Sequence, residues 1–144
     1  MAEKKLEGAG LRGQVAGQTA LSTVGKEGKG LTYRGFAIEE LSEKASFEEV
    51  AYMLLYGNLP KQSELSEYKE KLKKYRELPS ELKKVLELIP ASAHPMDVLR
   101  TGCSFLGNIE PEGDFSNQTD IADRLISIFP SIVCYWYRYS HDGV

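Results

Sequence analysis

The chain has 144 residues, of which 42% are hydrophobic and 27% charged, with a formal charge of −3 at pH 7 and a pI near 5.5. That composition excludes disorder and allows one modest core, and the acidic balance argues against nucleic acid or an anionic membrane as partner. No apolar leader follows Met1, which points to the cytoplasm, and the uncharged run near Val144 is shorter than the about 20 residues of a membrane span.

Residues 1–37 read as an N-terminal arm and a small β-hairpin. Threonine-rich and β-prone stretches at 19–24 and 31–36 flank a glycine cluster at 25–30, which suits a hairpin turn. The cluster lacks the Lys-Ser/Thr ending and the following helix of a phosphate loop. Residues 38–144 read as helical throughout and as one incomplete domain. Ser46 with Glu49 forms a capping-box pattern, and Phe47, Val50, Ala51, Leu54 and Leu55 fall at core-facing helical spacing. Gly57 and Pro60 stop that helix.

A second helix is expected from Ser63 to about Glu77, with a narrow stripe of Leu65, Tyr68, Leu72 and Tyr75. Its i, i+4 pairs, Glu67 with Lys71 and Glu70 with Lys74, suit a surface helix. Ser80 to Ile89 is a third helix, with Leu82, Val85, Leu86 and Ile89 inward. Pro95 opens a fourth, and a loop runs from Leu106 to Thr119. Asn117 or Thr119 caps a last helix, which Pro130 kinks. From Leu125 to Tyr137 that helix carries no charge and is apolar all round, so it requires burial on every side. Within these 144 residues nothing follows to cover it, which marks the chain as part of a larger protein or as an obligate partner of one.

The chemistry is sparse. His94 and His141 are the only histidines, and neither has a second ligand at zinc-site spacing, so no metal is expected. His94, before Pro95, reads as a helix-start residue rather than a base. His141 and Asp142 are adjacent and do not naturally face each other. Cys103 and Cys134, among apolar neighbours, read as buried thiols. Arg34 suits a carboxylate beneath the hairpin, and Arg100 suits an intrahelical pair with Asp97. The residues by themselves give a mainly α domain without a recognisable active site.

Six segments stand in an order and spacing that carry more. They are Gly-Leu-Arg-Gly at 10–13, Ala-Leu-Ser-Thr-Val at 20–24 and Gly-Leu-Thr-Tyr-Arg-Gly-Phe at 30–36. With them go Phe-Glu-Glu-Val-Ala-Tyr-Met-Leu-Leu-Tyr-Gly-Asn-Leu-Pro at 47–60, Ala-His-Pro-Met-Asp-Val-Leu-Arg-Thr-Gly at 93–102 and Tyr-Trp-Tyr-Arg-Tyr-Ser-His at 135–141. Together they resemble the citrate synthase family, and within it the bacterial 2-methylcitrate synthases.

The resemblance implies the N-terminal part of that family's large helical domain, preceded by a small β-hairpin. It implies a homodimeric acyltransferase that condenses propionyl-CoA, or acetyl-CoA, with oxaloacetate. Coenzyme A thioester is then a substrate, and no tightly bound cofactor is expected. In the family an aspartate removes the α-proton of the acyl-CoA, one histidine holds the enolate, a second polarises the oxaloacetate carbonyl, and arginines clamp the dicarboxylate. Those motifs lie downstream of the position matching Val144, so no catalytic residue is expected in this chain, which would supply scaffold and dimer contacts. Arg12 falls where some members place an arginine near the CoA phosphates; its plainer reading is a solvated side chain in the arm. The alternative is a non-catalytic helical interaction module with the same fold.

Overall fold

A computed structural model describes residues 15, 17–24 and 30–143. Arg12 and most of the 25–30 glycine cluster lie outside them. The chain is mostly helical with a small three-stranded sheet, and divides into two compact units, Met1–Ser46 and Phe47–Val144.

The first unit holds the strands β1 (Ser22–Thr23), β2 (Thr32–Tyr33) and β3 (Phe36–Ala37), then helix α1 (Ile38–Lys44). The sheet is antiparallel in the order β1-β2-β3, with Ser22 opposite Tyr33 and Tyr33 opposite Phe36. The hairpin expected from sequence thus gains a third strand. The added corner is Arg34-Gly35, both with positive φ (51° and 90°), the backbone that a two-residue hairpin of right-handed twist requires. Arg34 N–H donates to Leu21 O at 2.8 Å, and the hydroxyls of Thr23 and Thr32 bond across the β1–β2 pair. In α1, Glu39 and Glu40 occupy the first turn and Lys44 the last, each placed to suit the helix dipole.

The second unit contains α2 (Phe47–Tyr56), α3 (Gln62–Lys74), α4 (Ser80–Glu87), α5 (Pro95–Ile109) and α6 (Gln118–Tyr137). Gly57, at φ 100°, reverses the chain after α2 and donates to Met53 O. Ala51 and Met53 form the buried side of α2, while Phe47 is 68% exposed; the expected stripe is rotated toward Met53. Glu64 accepts from Lys61 N–H at 2.7 Å at the start of α3. This is half a capping box, because an ammonium has no lone pair to return the bond. His94 caps α5 as expected, its Nδ1 accepting from Met96 N–H at 3.2 Å with Pro95 in the first turn.

The helix α5 runs to Ile109, beyond the Leu106 at which the loop was expected to begin. Asn117 precedes α6 without a side-chain cap, and its amide donates instead to Glu112 O. A single 3₁₀ turn, Phe115–Asn117, comes first, so the start signal moves back to Asp114, which accepts from Ser116 N–H. After α6 a π-helical turn, Arg138–Asp142, ends on left-handed Gly143.

The main core is built from Leu82 and Leu86 of α4, Val98 and Leu106 of α5, and Ile128, Ile132 and Trp136 of α6. Each such side chain, fully buried, contributes about 1.5–3 kcal/mol. Gly102 of α5 lets the helices close: a Cβ there would lie 2.9 Å from Ile132 Cγ2. Trp136 donates from Nε1 to Ile89 O at 3.2 Å, and Tyr135 donates to Glu87 Oε1 at 2.6 Å.

The burial of α6 on every side, required by its sequence, is met on one stripe only. Ser127, Ile128, Ile132 and Trp136 are buried, whereas Pro130, Cys134 and Tyr137 are exposed. The described helices α3, α4 and α5 reach part of its circumference and leave the rest uncovered. Cys134 is therefore an exposed thiol, contrary to its apolar surroundings in sequence, and Cys103 is half-buried; both are free.

Candidate functional site

The densest polar constellation joins α2, α3 and the first turns of α6. Asp123, fully buried on the inner face of α6, is its centre. Tyr56 donates to its Oδ2 at 2.5 Å, Tyr68 to its Oδ1 at 2.8 Å, and Lys71 Nζ to Oδ2 at 2.7 Å. Lys71 also bonds Asp120 Oδ1 at 2.6 Å. Tyr52 stacks on Tyr56 at 4.5 Å and meets Tyr68 edge-on at 5.3 Å.

The Glu67–Lys71 pair expected along α3 is replaced by these contacts. A buried carboxylate needs its counter-charge more than an exposed glutamate does, and so it takes the lysine. Likewise Glu70 pairs with Lys73 at 2.5 Å rather than with Lys74.

The electrostatics follow the geometry. Burial and the bond to Asp123 push the Tyr56 phenol above its ordinary value, and push Tyr68 further in the same direction. Burial works against the charge on Lys71. The bonds to Asp120, Asp123 and Tyr56 outweigh it and hold the ammonium above its usual range. Asp123 is sealed from solvent with three donors already on it, so no substrate proton can reach it. The arrangement can fix helices together; it cannot act as a general base.

A second knot lies alongside. Arg124 grips Glu110 in bidentate fashion, Nε to Oε2 at 3.0 Å and Nη2 to Oε1 at 2.8 Å. Its Nη1 donates to the carbonyls of Tyr75 and Glu77. A cleft of about 920 Å³ opens beside it over Leu78, Leu106, Ile121 and Leu125. The guanidinium is spent on this protein contact rather than offered to a ligand.

The residues singled out from the sequence do not converge. Arg12 lies outside the described residues. Arg100 pairs with Asp97 at 3.1 Å, as expected. The His141 ring stacks on Tyr137 at 4.2 Å, its Nδ1 meeting Ser140 Oγ and Tyr137 O, and so takes no orientation from Asp142. Among the described residues no three His, Cys, Asp or Glu side chains gather as a metal site would require. No described helix is long and apolar enough to cross a membrane. The Asp123 and Arg124 knots were missed because their partners lie 14 to 67 residues away, and the one available signal was two acidic residues and an arginine opening an apolar helix.

A family model described as the citrate synthase C-terminal domain matches residues 10–144. The chain belongs to the citrate synthase family. It is 67% identical, over 98% of its length, to a 2-methylcitrate synthase of Shewanella oneidensis, and spans 38% of that relative. It is 46% identical to 2-methylcitrate synthase 2 of Corynebacterium glutamicum over 72% of the chain and 27% of the relative. The crystal structure of citrate synthase from Thermotoga maritima superposes with a TM-score of 0.80 at 38% identity, covering 93% of this chain and 35% of that one. The chain thus spans well under half the length of the relatives it matches, and their names include both the citrate and the 2-methylcitrate synthases.

Proposed function

We propose that this chain is the N-terminal portion of a condensing enzyme that joins propionyl-CoA to oxaloacetate. It supplies scaffold and dimer contacts, and the proton-transfer chemistry is carried by the part of the relatives' length that it does not span. The observation that carries this reading is the 67% identity to a 2-methylcitrate synthase over nearly the whole chain. The site supports the division of labour: the buried carboxylate and the well-placed arginine are both committed to holding helices. The uncovered side of α6 supports a role in homodimer contacts. In this reading coenzyme A enters as a thioester substrate with no tightly bound cofactor, Arg12 is a candidate contact to its phosphates, and the enzyme works in the cytoplasm.

The test is a chimera in which this chain replaces the matching segment of the Shewanella oneidensis relative. Thiol release is followed with propionyl-CoA or acetyl-CoA plus oxaloacetate. The chimera is expected to turn over, faster with propionyl-CoA, while the 144-residue chain alone releases no thiol. A folded chimera without activity would favour a non-catalytic interaction module. Turnover by the chain alone would move the chemistry back to His94 and His141.

A further inference from the structure

Two separate sets of buried apolar side chains stabilise the second unit. One joins α4, α5 and α6; the other consists of Ala51 of α2 with Tyr68 and Leu72 of α3. Met53 and Leu65, also buried, belong to neither set. Between the α2–α3 hairpin and α6 the named bonds are polar and centre on Asp123, which Tyr56, Tyr68 and Lys71 all reach, with Lys71 also reaching Asp120 one turn earlier. Beside them the seam stays partly open. A groove of about 490 Å³ separates Phe47 and Leu72 from Ile126, Pro130 and Cys134.

The chain leaves this seam at a fixed point. Arg124 holds the carbonyls of Tyr75 and Glu77, where α3 gives way to α4, so the root of the hairpin is pinned to α6. Apolar contacts yield gradually as surfaces slide. A buried carboxylate with three donors is either made or broken, because a half-satisfied network costs more than none.

We propose that the α2–α3 hairpin is a releasable strap, latched to α6 through Asp123 and hinged at residues 75–79, which opens without unfolding the α4–α6 core. Sub-global opening of this kind is observed where a motif has its own small core and few shared apolar contacts.

Hydrogen exchange followed by mass spectrometry on the 144-residue chain tests this with Lys71→Met and Asp123→Asn. Peptides from Phe47–Lys74 are expected to exchange about tenfold faster or more, while those from Pro95–Ile109 and Gln118–Tyr137 keep their protection. Tyr56→Phe, which removes one donor and keeps the ring packing, is expected to give a smaller acceleration in the same peptides. Equal acceleration in every helix, including complete unfolding of the charge variants, would show one cooperative unit and overturn the proposal. No change in the hairpin peptides of any of the three variants would overturn it as well.

Discussion

An ammonium between two carboxylates and a phenol has one favourable protonation state, and Lys71 is held in it. Its folded pKa lies above the ordinary 10.5, and those of Tyr56 and Tyr68 lie above 10.0. Each contribution is therefore whole below the unfolded value and is lost as pH rises through the folded one. Thermal stability should hold steady from neutral pH to about pH 9.5 and fall above it. Tyrosine absorbance would check the cause: of the eight tyrosines, Tyr56 and Tyr68 should ionise after the bulk. Tyr135, pushed up to about 12 by its bond to Glu87, should ionise late as well. Ionisation of all eight in one step near pH 10 would contradict the assignment. At this scale the sequence was legible where partners are neighbours: His94 caps its own helix and Arg100 meets Asp97 one turn away. It misled at Lys71, because Glu67 is the visible partner and Asp123, 52 residues on, is the buried one that wins.

Among the elements, the α5–α6 contact is the most sensitive to change. Gly102→Ala adds a methyl group 2.9 Å from Ile132 Cγ2, on a side chain that is fully buried and stiff at its branch. Alanine gains about 1 kcal/mol of helix propensity, and overpacking costs about 1–3 kcal/mol. The expected net effect is destabilisation by about 1 kcal/mol, read as a lower denaturant midpoint at unchanged slope. Ile132→Val in the same background should recover part of the loss; a midpoint at or above that of the parent would mean that the helices move apart freely. The helices themselves were readable, since Gly57, Pro60 and Pro95 punctuate the chain and apolar periodicity fills the intervals. Their faces were less so. The turn at Arg34-Gly35 was hidden because an arginine is an unusual occupant of a left-handed corner, and the start of α6 was displaced by a 3₁₀ turn that leaves no periodic trace.

For the molecule as a whole, what stays uncovered matters as much as the core. Leu88 (84%), Met96 (62%), Phe115 (81%) and Tyr137 (51%) are large apolar side chains exposed in the second unit, and they add to the uncovered side of α6. The 144-residue chain on its own should self-associate in sedimentation or bind a hydrophobic dye. A sharply melting, dye-negative monomer would mean that this surface needs no partner. The sequence showed that α6 was too apolar for one covered side, because a charge-free run of that length is visible without a structure. Which side would be covered was not visible, since α4 and α5 select it through side-chain shape.

Trp136 is the sole tryptophan in the chain, and its indole is held between the α4–α5 connection and the end of α6 by the bond to Ile89. Its position makes it an optical gauge of one half of the second unit. Its emission should be that of an apolar, water-free ring for as long as α4 and α6 remain packed, whatever the α2–α3 hairpin does. Two clocks can thus be read on one polypeptide, fluorescence for the three-helix body and amide exchange for the strap.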